Sequence, residues 1–286
     1  MNCWLIVNTF MESEKFKNLY KLLFDAFDKR GVSLTIKRAQ DISLEVGKEI
    51  KEKPEFAIFW DKDIYLAERL EAQGIRLFNS SRAINLCDNK ILMYQELIKH
   101  QIRIPRTLVA PKTFEGLGYK DLAFVKEAGK ELGWPLVIKE AYGSFGEQVY
   151  LANDMDEAEK IITAIGYHDF LMQEFIASSK GKDVRINVIG EQVIASMLRE
   201  NKNDFRSNIS NGGKGVNFSP NQDYIDLAIK AVKALGLDFA GVDVLFGEDG
   251  PIICEVNSNP QFASTLSATG INLADFIADY ILRQVC

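Results

Sequence analysis

The sequence predicts an α/β fold assembled from α+β lobes, with a parallel sheet in its N-terminal part. Short apolar strands alternate with amphipathic helices over residues 1–95, and this order is typical of a parallel sheet. A smaller mixed unit occupies residues 96–176. A long β-hairpin with polar residues on both arms follows within residues 177–286. We therefore expect three parts with these limits.

The N-terminal part is expected to contain strands at Trp4–Val7, Ser33–Arg38 and Phe56–Trp60, with a helix at Ser13–Arg30 and a helical stretch at Glu45–Glu52. In the first helix, apolar and aromatic residues recur at helical spacing, which is more typical of core packing than of a cofactor site. The chain then continues into one long helix.

That helix is predicted over Ser81–His100, and Ile104-Pro105 marks the change to an extended segment. The second part is expected to fold as a lid of mixed helices and strands. Its predicted elements are a helix at Lys120–Leu132, a strand ending at Lys139, a strand at Gln148–Ala152, a helix at Met155–Ile165 and a strand at Phe170–Ile176.

The third part is expected to carry the hairpin and a loop rich in Asn, Gly, Lys and Arg. Its predicted elements are strands at Val184–Ile189 and Gln192–Leu198, a loop at Phe205–Gly215, a helix at Asn221–Leu235, the hairpin at Ala240–Pro260 and a helix at Asn272–Arg283.

The hairpin predicts a cation site. Pairing Phe246 with Ile252 would set Asp243 opposite Glu255, with Asn257 on the same face and Cys254 pointing away. Carboxylates side by side are unfavourable unless a cation lies between them, and oxygen ligands favour Mg²⁺ or Mn²⁺ over Zn²⁺. A solvated polar face on an ordinary hairpin is the alternative interpretation.

Composition restricts the class of protein. The chain has 286 residues, 47% hydrophobic residues and a net charge of −6, so it can bury a sizeable core and shows no basic surface for nucleic acid. The N-terminal strand lacks a basic leader, no apolar run is long enough to cross a bilayer, and the cysteines show no C-x-x-C pair. Cys3, Cys87, Cys254 and Cys286 are expected to be reduced thiols of a cytoplasmic protein.

Several further polar residues complete a pattern in chain order. Lys139 ends an apolar strand and precedes the loop Gly143-Ser-Phe-Gly146, where backbone N–H groups could face a phosphate. With the hairpin, this series resembles the ATP-grasp ligases, and within them the RimK-like amino-acid ligases, from about Asn79 onwards. The residues that carry the resemblance are Lys90, Lys139, Gln173-Glu-Phe-Ile176, Asp183-Val-Arg185, Asp204-Phe-Arg-Ser-Asn208, Asp243 and Glu255-Val-Asn257.

The resemblance implies an ATP-grasp fold with an N-terminal pre-ATP-grasp domain, a central lid and a C-terminal subdomain that holds metal. It also implies a role for each matching residue. Lys90, Lys139 and Ser144 would contact phosphate, Gln173, Glu174, Phe175 and Ile176 would contact adenine, and Asp183 would contact the ribose. Arg206 and Asn208 would contact the transferring phosphate, and Arg185 and Arg199 would bind a substrate carboxylate. Asp243, Glu255 and Asn257 would bind the metal.

The activity that the resemblance implies is ATP-dependent ligation of a carboxylate to an amine through an acylphosphate. ATP and one or two ions of Mg²⁺ or Mn²⁺ would be the cofactors. The expected partners are an amino acid such as glutamate and the carboxylate of a small molecule, peptide or protein, in a chain that could form a homo-oligomer. A D-alanine–D-alanine-type ligase, a biotin-carboxylase-like subunit and a non-catalytic ATP-binding regulatory protein are the alternatives.

One part of the sequence departs from that family pattern. The loop at Gly143–Glu147 carries Phe145 and an acid where relatives continue with glycines and small apolar residues, so Phe145 could instead pack as a lid. His100 and His168 lack a partner pattern typical of a general base. The sequence therefore assigns no residue that deprotonates the amine.

Overall fold

The computed structural model describes residues 2–42, 45–144 and 146–285, and they form three sheets with helices packed around them. The first sheet is parallel, with strand order β2-β1-β3-β4, and its strands are β1 (Cys3–Val7), β2 (Leu34–Arg38), β3 (Phe56–Trp60) and β4 (Arg76–Phe78). Helices α1 (Glu14–Asp28) and α2 (Ile64–Ala72) connect these strands. The predicted parallel N-terminal sheet is confirmed.

Two sequence predictions in this part were wrong. Residues 45–52 form turns instead of a helix, because Gly47 adopts a positive φ of 85° that interrupts helical hydrogen bonding. The single helix expected over Ser81–His100 is two helices, α3 (Ser81–Asp88) and α4 (Lys90–Lys99). The side chain of Asn89 accepts hydrogen bonds from the backbone N–H groups of Ile91 and Leu92, so it caps a new helix.

The second sheet is antiparallel, with order β5-β8-β6-β7, and its strands lie in the segment for which a lid was predicted, so we refer to it as the lid sheet. Its core is the buried face of the strands against two amphipathic helices. The elements are β5 (Thr107–Val109), α5 (Ala123–Leu132), β6 (Leu136–Glu140), β7 (Val149–Ala152), α6 (Met155–Ile165) and β8 (Phe170–Glu174).

The third sheet has five antiparallel strands in the order β11-β10-β9-β12-β13. Helix α7 covers one side of it together with α4, and α9 packs against α1 of the first sheet. The elements are β9 (Lys182–Ile189), β10 (Gln192–Glu200), β11 (Lys214–Asn217), α7 (Gln222–Leu235), β12 (Phe239–Gly247), β13 (Gly250–Asn257), α8 (Ala263–Thr269) and α9 (Leu273–Val285).

A buried amide joins the first sheet to the hairpin. Asn79 follows β4 and is fully buried. Its Nδ2 donates to the carbonyl oxygens of Phe239, at 3.0 Å, and Ser258, at 2.8 Å, while its Oδ1 accepts from the backbone of Asp238 at 2.6 Å. One side chain therefore fixes the start of β12 and the end of β13 relative to the N-terminal sheet.

Cys3 and Cys87 are buried and Cys254 is partly buried, while Cys286 lies outside the described residues. Among the residues that the structure describes, none of the helices combines the length and the apolar character needed to cross a membrane.

Candidate active site

Two adjoining cavities contain every site residue that the sequence predicts. The first cavity lies between the lid sheet and the third sheet, and the second extends to the ends of β1 and β3, with a volume of about 480 Å³. The first is lined by Lys90, Lys139, Ser144, Gln173, Glu174, Phe175, Ile176, Asp183, Arg199, Arg206, Asn208, Asp243 and Glu255. The second is lined by Arg185 and Asn257, and it shares Ser144, Arg199, Asn208 and Glu255 with the first.

The hairpin brings its two carboxylates together. Asp243 is paired with Glu255 across β12 and β13, so the predicted pairing is confirmed. The register nearer the turn was predicted wrongly: Leu245, not Phe246, is opposite Ile252, because a bulge between Asp243 and Val244 leaves Cys254 as an extra residue. The bulge also explains why Cys254 lines the first cavity, where the sequence predicted it to point away.

Two arginines neutralise the buried carboxylate of Asp243. Both Arg185 and Arg199 bind it, with Arg185 Nη2 2.8 Å from Oδ2 and Arg199 Nη2 3.0 Å from Oδ1. Burial alone would raise the pKa of Asp243, but these guanidinium groups lower it below its ordinary value. Asp243 is therefore a buried anion that is compensated within the protein.

The donor set of the hairpin fits a hard cation. Asp243 and Glu255 offer carboxylate oxygens, and the amide nitrogen of Asn257 donates to the carbonyl oxygen of Gly241 at 3.2 Å, which leaves its amide oxygen as the cation-binding end. Within the described part of the chain, no group of three Cys, His, Asp and Glu side chains is placed to hold a metal. An oxygen set with one amide suits Mg²⁺ better than Zn²⁺.

Lys90 lies at the first turn of α4, where the cap at Asn89 places it beside the loop after β6. Its Nζ donates to the carbonyl oxygen of Gly143 at 3.3 Å and lies 3.9 Å from Oε1 of Glu255. Burial lowers the pKa of Lys90, and the neighbouring Glu255 opposes that effect. A phosphate group in the first cavity would meet this cation at one end.

Lys139 forms a buried network with two residues that the sequence analysis missed. Its Nζ donates to the hydroxyl of Tyr94 at 3.2 Å and lies 3.8 Å from the thiol of Cys254. The hydroxyl of Tyr94 in turn donates to the carbonyl oxygen of Cys254. Burial raises the pKa of Tyr94 to about 12 and that of Cys254 to about 11, so both stay neutral near pH 7. The spacing of Tyr94 from Lys90, four residues along one helix face, was an available signal.

The loop after β6 requires its two glycines. A side chain at Gly143, with φ of 150°, would lie 2.5 Å from Oε1 of Gln148, and one at Gly146, with φ of 76°, would lie 2.8 Å from Oδ1 of Asn208. Arg206 fixes the same loop, since its Nη1 donates to the carbonyl oxygen of Gly146 at 2.6 Å. The prediction for Phe145 lies outside the described residues.

In the segment predicted to contact adenine, Gln173–Ile176, the polar side chains bind other parts of the protein. Gln173 is buried and donates to Oγ1 of Thr107 at 2.8 Å, and Oε1 of Glu174 accepts from the backbone of Arg106 at 2.8 Å. The strand ends at Glu174, so the backbone of Phe175 and Ile176 leaves the sheet at the cavity wall. Backbone groups at such a point are suited to hydrogen-bond a flat heterocycle, although the carbonyl oxygen of Ile176 already accepts from the N–H of Ser179 at 2.9 Å.

The carboxylate of Asp183 also binds a side chain of the protein. Nε and Nη2 of Arg199 donate to its two carboxylate oxygens at 2.7 and 2.5 Å. Arg199 therefore bridges Asp183 and Asp243, and all three residues are at most 5% exposed. The sequence analysis placed Arg199 in a substrate role without predicting this bridge, because the contact depends on the register of β9 against both neighbours.

A lysine from the first sheet reaches the same loop and was also missed. Lys62 follows β3, pairs with Asp88, and its Nζ donates to Oγ of Ser144 at 3.1 Å. This contact connects the N-terminal sheet to the wall that both cavities share. A lysine in an exposed turn has no distinguishing pattern in the sequence.

Residues 87–281 match the model of the RimK-like ATP-grasp domain, which is more than half of the chain. The chain belongs to the RimK-like ATP-grasp family. It is therefore an ATP-grasp carbon–nitrogen ligase of the ADP-forming type, and ATP-grasp ligases use ATP with magnesium ions. The predicted family and ATP-grasp fold are confirmed.

Individual relatives agree with this assignment. The chain is 36% identical to human N-acetylaspartylglutamate synthase A over 78% of its own length and 56% of that protein. It is 34% identical to beta-citrylglutamate synthase B of Danio rerio, over 88% of its length and 63% of that protein. It thus spans little more than half the length of these synthases. A RimK domain ATP-grasp protein from Sphaerobacter thermophilus has the same fold, with a TM-score of 0.76, 22% identity and coverage of 98% and 99% of the two chains.

Proposed function

We propose that this RimK-like ligase joins an amino acid such as glutamate to a carboxylate of a small molecule, peptide or protein, through an acylphosphate. The observation that carries the proposal is the convergence of Asp243, Glu255, Lys90 and Lys139 on one cavity. The names of the two synthases share glutamate and differ in the other component. This supports glutamate as the amine and leaves the acceptor carboxylate open.

The chemistry requires charge compensation more than covalent help from the protein. A carboxylate oxygen of the acceptor attacks the γ-phosphorus of ATP and ADP leaves. The neutral amine then attacks the acyl carbon, inorganic phosphate leaves, and one proton is lost from the nitrogen. Lys90 and Lys139, which line the first cavity, would offset the phosphate charge, and Arg206 would hold the loop at Gly146 in position.

The remaining site roles are part of the same proposal. Gln173–Ile176 would hold adenine, Asp183 the ribose, Asn208 the transferring phosphate, and Arg185 with Arg199 a substrate carboxylate. Asp243, Glu255 and Asn257 would hold Mg²⁺, with Mn²⁺ as an alternative, and the ion would offset charge on the phosphates. We also propose the division into parts at 1–95, 96–176 and 177–286.

The test is ADP release by the purified protein with Mg²⁺ and ATP. Each amino acid is added singly to a panel of acceptor carboxylates that includes N-acetylaspartate, citrate and peptides with free C-termini. ADP and phosphate formed in equal amounts, only when both an amine and a carboxylate are present, support the proposal. Tight ATP binding without turnover on any pair would contradict it and favour a regulatory protein.

A further inference from the structure

Unpaired polar atoms are concentrated along one wall of the second cavity. Oδ2 of Asp61, Oδ1 of Asn259 and both Oε1 and Nε2 of Gln261 are buried and have no hydrogen-bond partner among residues 2–42, 45–144 and 146–285. All three residues line that cavity. Buried polar groups without partners are uncommon in folded proteins, so a cluster of them calls for a ligand that satisfies it.

The carboxylate in this cluster is held firmly by one oxygen only. Oδ1 of Asp61 accepts from Nδ2 of Asn8 at 3.0 Å and from the backbone of Lys62 at 2.7 Å. The residue is 5% exposed, and burial raises its pKa. Its second oxygen is therefore oriented by fixed contacts and has capacity for another donor.

The position in the fold favours ligand binding. Asn8 directly follows β1 and Asp61 directly follows β3, and the two strands are parallel neighbours with Val7 opposite Trp60. The crevice beyond the carboxyl ends of parallel strands is where open α/β sheets bind ligands. Trp60 stacks on Phe239 with ring centroids 5.5 Å apart, which gives Asp61 a rigid base.

The hairpin supplies the rest of the cluster. Nδ2 of Asn259 donates to the carbonyl oxygen of Asp61 at 2.9 Å, so its Oδ1 is held near that carboxylate. Asn259 follows Asn257 by two residues, and Asn257 and Glu255 line the same cavity. A group bound at Asp61 would thus lie in the cavity that reaches the proposed reaction centre.

We propose that Asp61, with the amide oxygens of Asn259 and Gln261, binds the ammonium group of the amino-acid substrate. An ammonium group carries three donors and one positive charge, which match one free carboxylate oxygen and two amide oxygens. Arg185 and Lys62 line the same cavity and suit the carboxylates of that substrate. The identity of the ligand as a substrate rests on the proposed function, whereas the binding site itself does not.

The experiment measures binding by calorimetry, with Mg²⁺ and a non-hydrolysable ATP analogue present. The probes are L-glutamate, the other common amino acids, and glutarate, which has the two carboxylates of glutamate without the amino group. The variant is Asp61→Asn, which keeps the size of the side chain. The matched control is Asp154→Asn, since Asp154 lies outside both cavities and caps α6 through Glu157, a role that asparagine also performs.

We expect the wild type and Asp154→Asn to bind an amino acid at least about 30-fold more tightly than its deaminated analogue, and Asp61→Asn to lose that preference. Unchanged amino-acid affinity in a folded Asp61→Asn, equal affinity of the wild type for glutarate and L-glutamate, or no amino-acid binding by the wild type would overturn the inference. Binding that depends on Asp61 without ADP release on any substrate pair would keep the inference and refute the proposed ligation.

Discussion

Replacing Asn79 by alanine tests how the N-terminal sheet is attached to the hairpin. The side chain makes four hydrogen bonds to backbone groups, including one from the N–H of Phe239 at 3.3 Å, and it is fully buried. At about 1 kcal/mol for each hydrogen bond, the loss comes to about 4 kcal/mol of unfolding free energy. The backbone partners remain buried after the substitution, so a smaller loss would require water to enter.

The assay is urea denaturation followed by circular dichroism and tryptophan fluorescence, with the midpoint compared at a constant m-value. The control is Asn221→Ala, which removes one exposed helix cap made with Tyr224 and should cost only about 1 kcal/mol. At urea concentrations below the unfolding midpoint, turnover by Asn79→Ala should also be lower than turnover by the wild type, since Ser258 adjoins Asn257. A loss under about 1.5 kcal/mol for Asn79→Ala would refute the attachment that we derive from these contacts.

Three further outcomes follow from the site. Glu255→Gln removes one charge at nearly constant volume, so ADP-forming turnover should fall at least about 100-fold with an unchanged melting temperature. Near-normal turnover would contradict the assignment of Glu255 to the metal site. Gly213→Ala would place a side chain 2.2 Å from the carbonyl oxygen of Ser207. Urea denaturation should therefore show a loss of about 1–3 kcal/mol in the free energy of unfolding. An unchanged midpoint would mean that the loop adapts freely. The hydrogen bond from Arg206 lowers the pKa of Asp204, so the pair stabilises the fold above the ordinary carboxyl pKa and loses that effect as pH falls through the lowered value. The stability difference between wild type and Arg206→Gln should therefore be constant from pH 5 to 7 and narrow below about pH 4. The part that remains in acid comes from the bonds of Arg206 to the carbonyl oxygens of Gly146 and Val149, and a difference that does not narrow would contradict this.

Elements with clear periodicity were predictable from the sequence, and those decided by side-chain capping or by glycine were not. The helix at Met155–Ile165 has the predicted limits. By contrast, Asn89 divides the long helix because its side chain competes for backbone N–H groups, and that choice depends on where Lys90 packs. Helix α8 has only seven residues, which are too few to show a helical period of apolar residues.

Many residues of the candidate site were predictable because they end a strand or lie in a polar loop, where a core explanation is weak. Lys90 lies in α4, and Arg185 and Arg199 lie within strands, so they were predicted from the resemblance alone, whereas Asp243 lies within a strand and was predicted from the hairpin. The contacts that these residues make with one another were less predictable. Nothing in the sequence indicates that Arg199 binds both Asp183 and Asp243, since this follows from three adjacent strands in one register. The polar atoms at Asp61 and Gln261 were missed for the same reason, because they meet only after the hairpin folds against the first sheet.

The bulge at Cys254 shows how one extra residue shapes the site. Without it, alternation along β13 would turn residue 254 away from Glu255. With it, Cys254 and Glu255 both line the first cavity, and the carbonyl oxygen of Cys254 accepts from Tyr94, which in turn accepts from Lys139. The bulge therefore positions a lysine on the lid sheet and a carboxylate on the third sheet through a single strand. Because this coupling uses the carbonyl group of Cys254, replacing its thiol would preserve the coupling. Removing the whole residue would keep Glu255 opposite Asp243 in a regular ladder but would take away the carbonyl oxygen that Tyr94 binds.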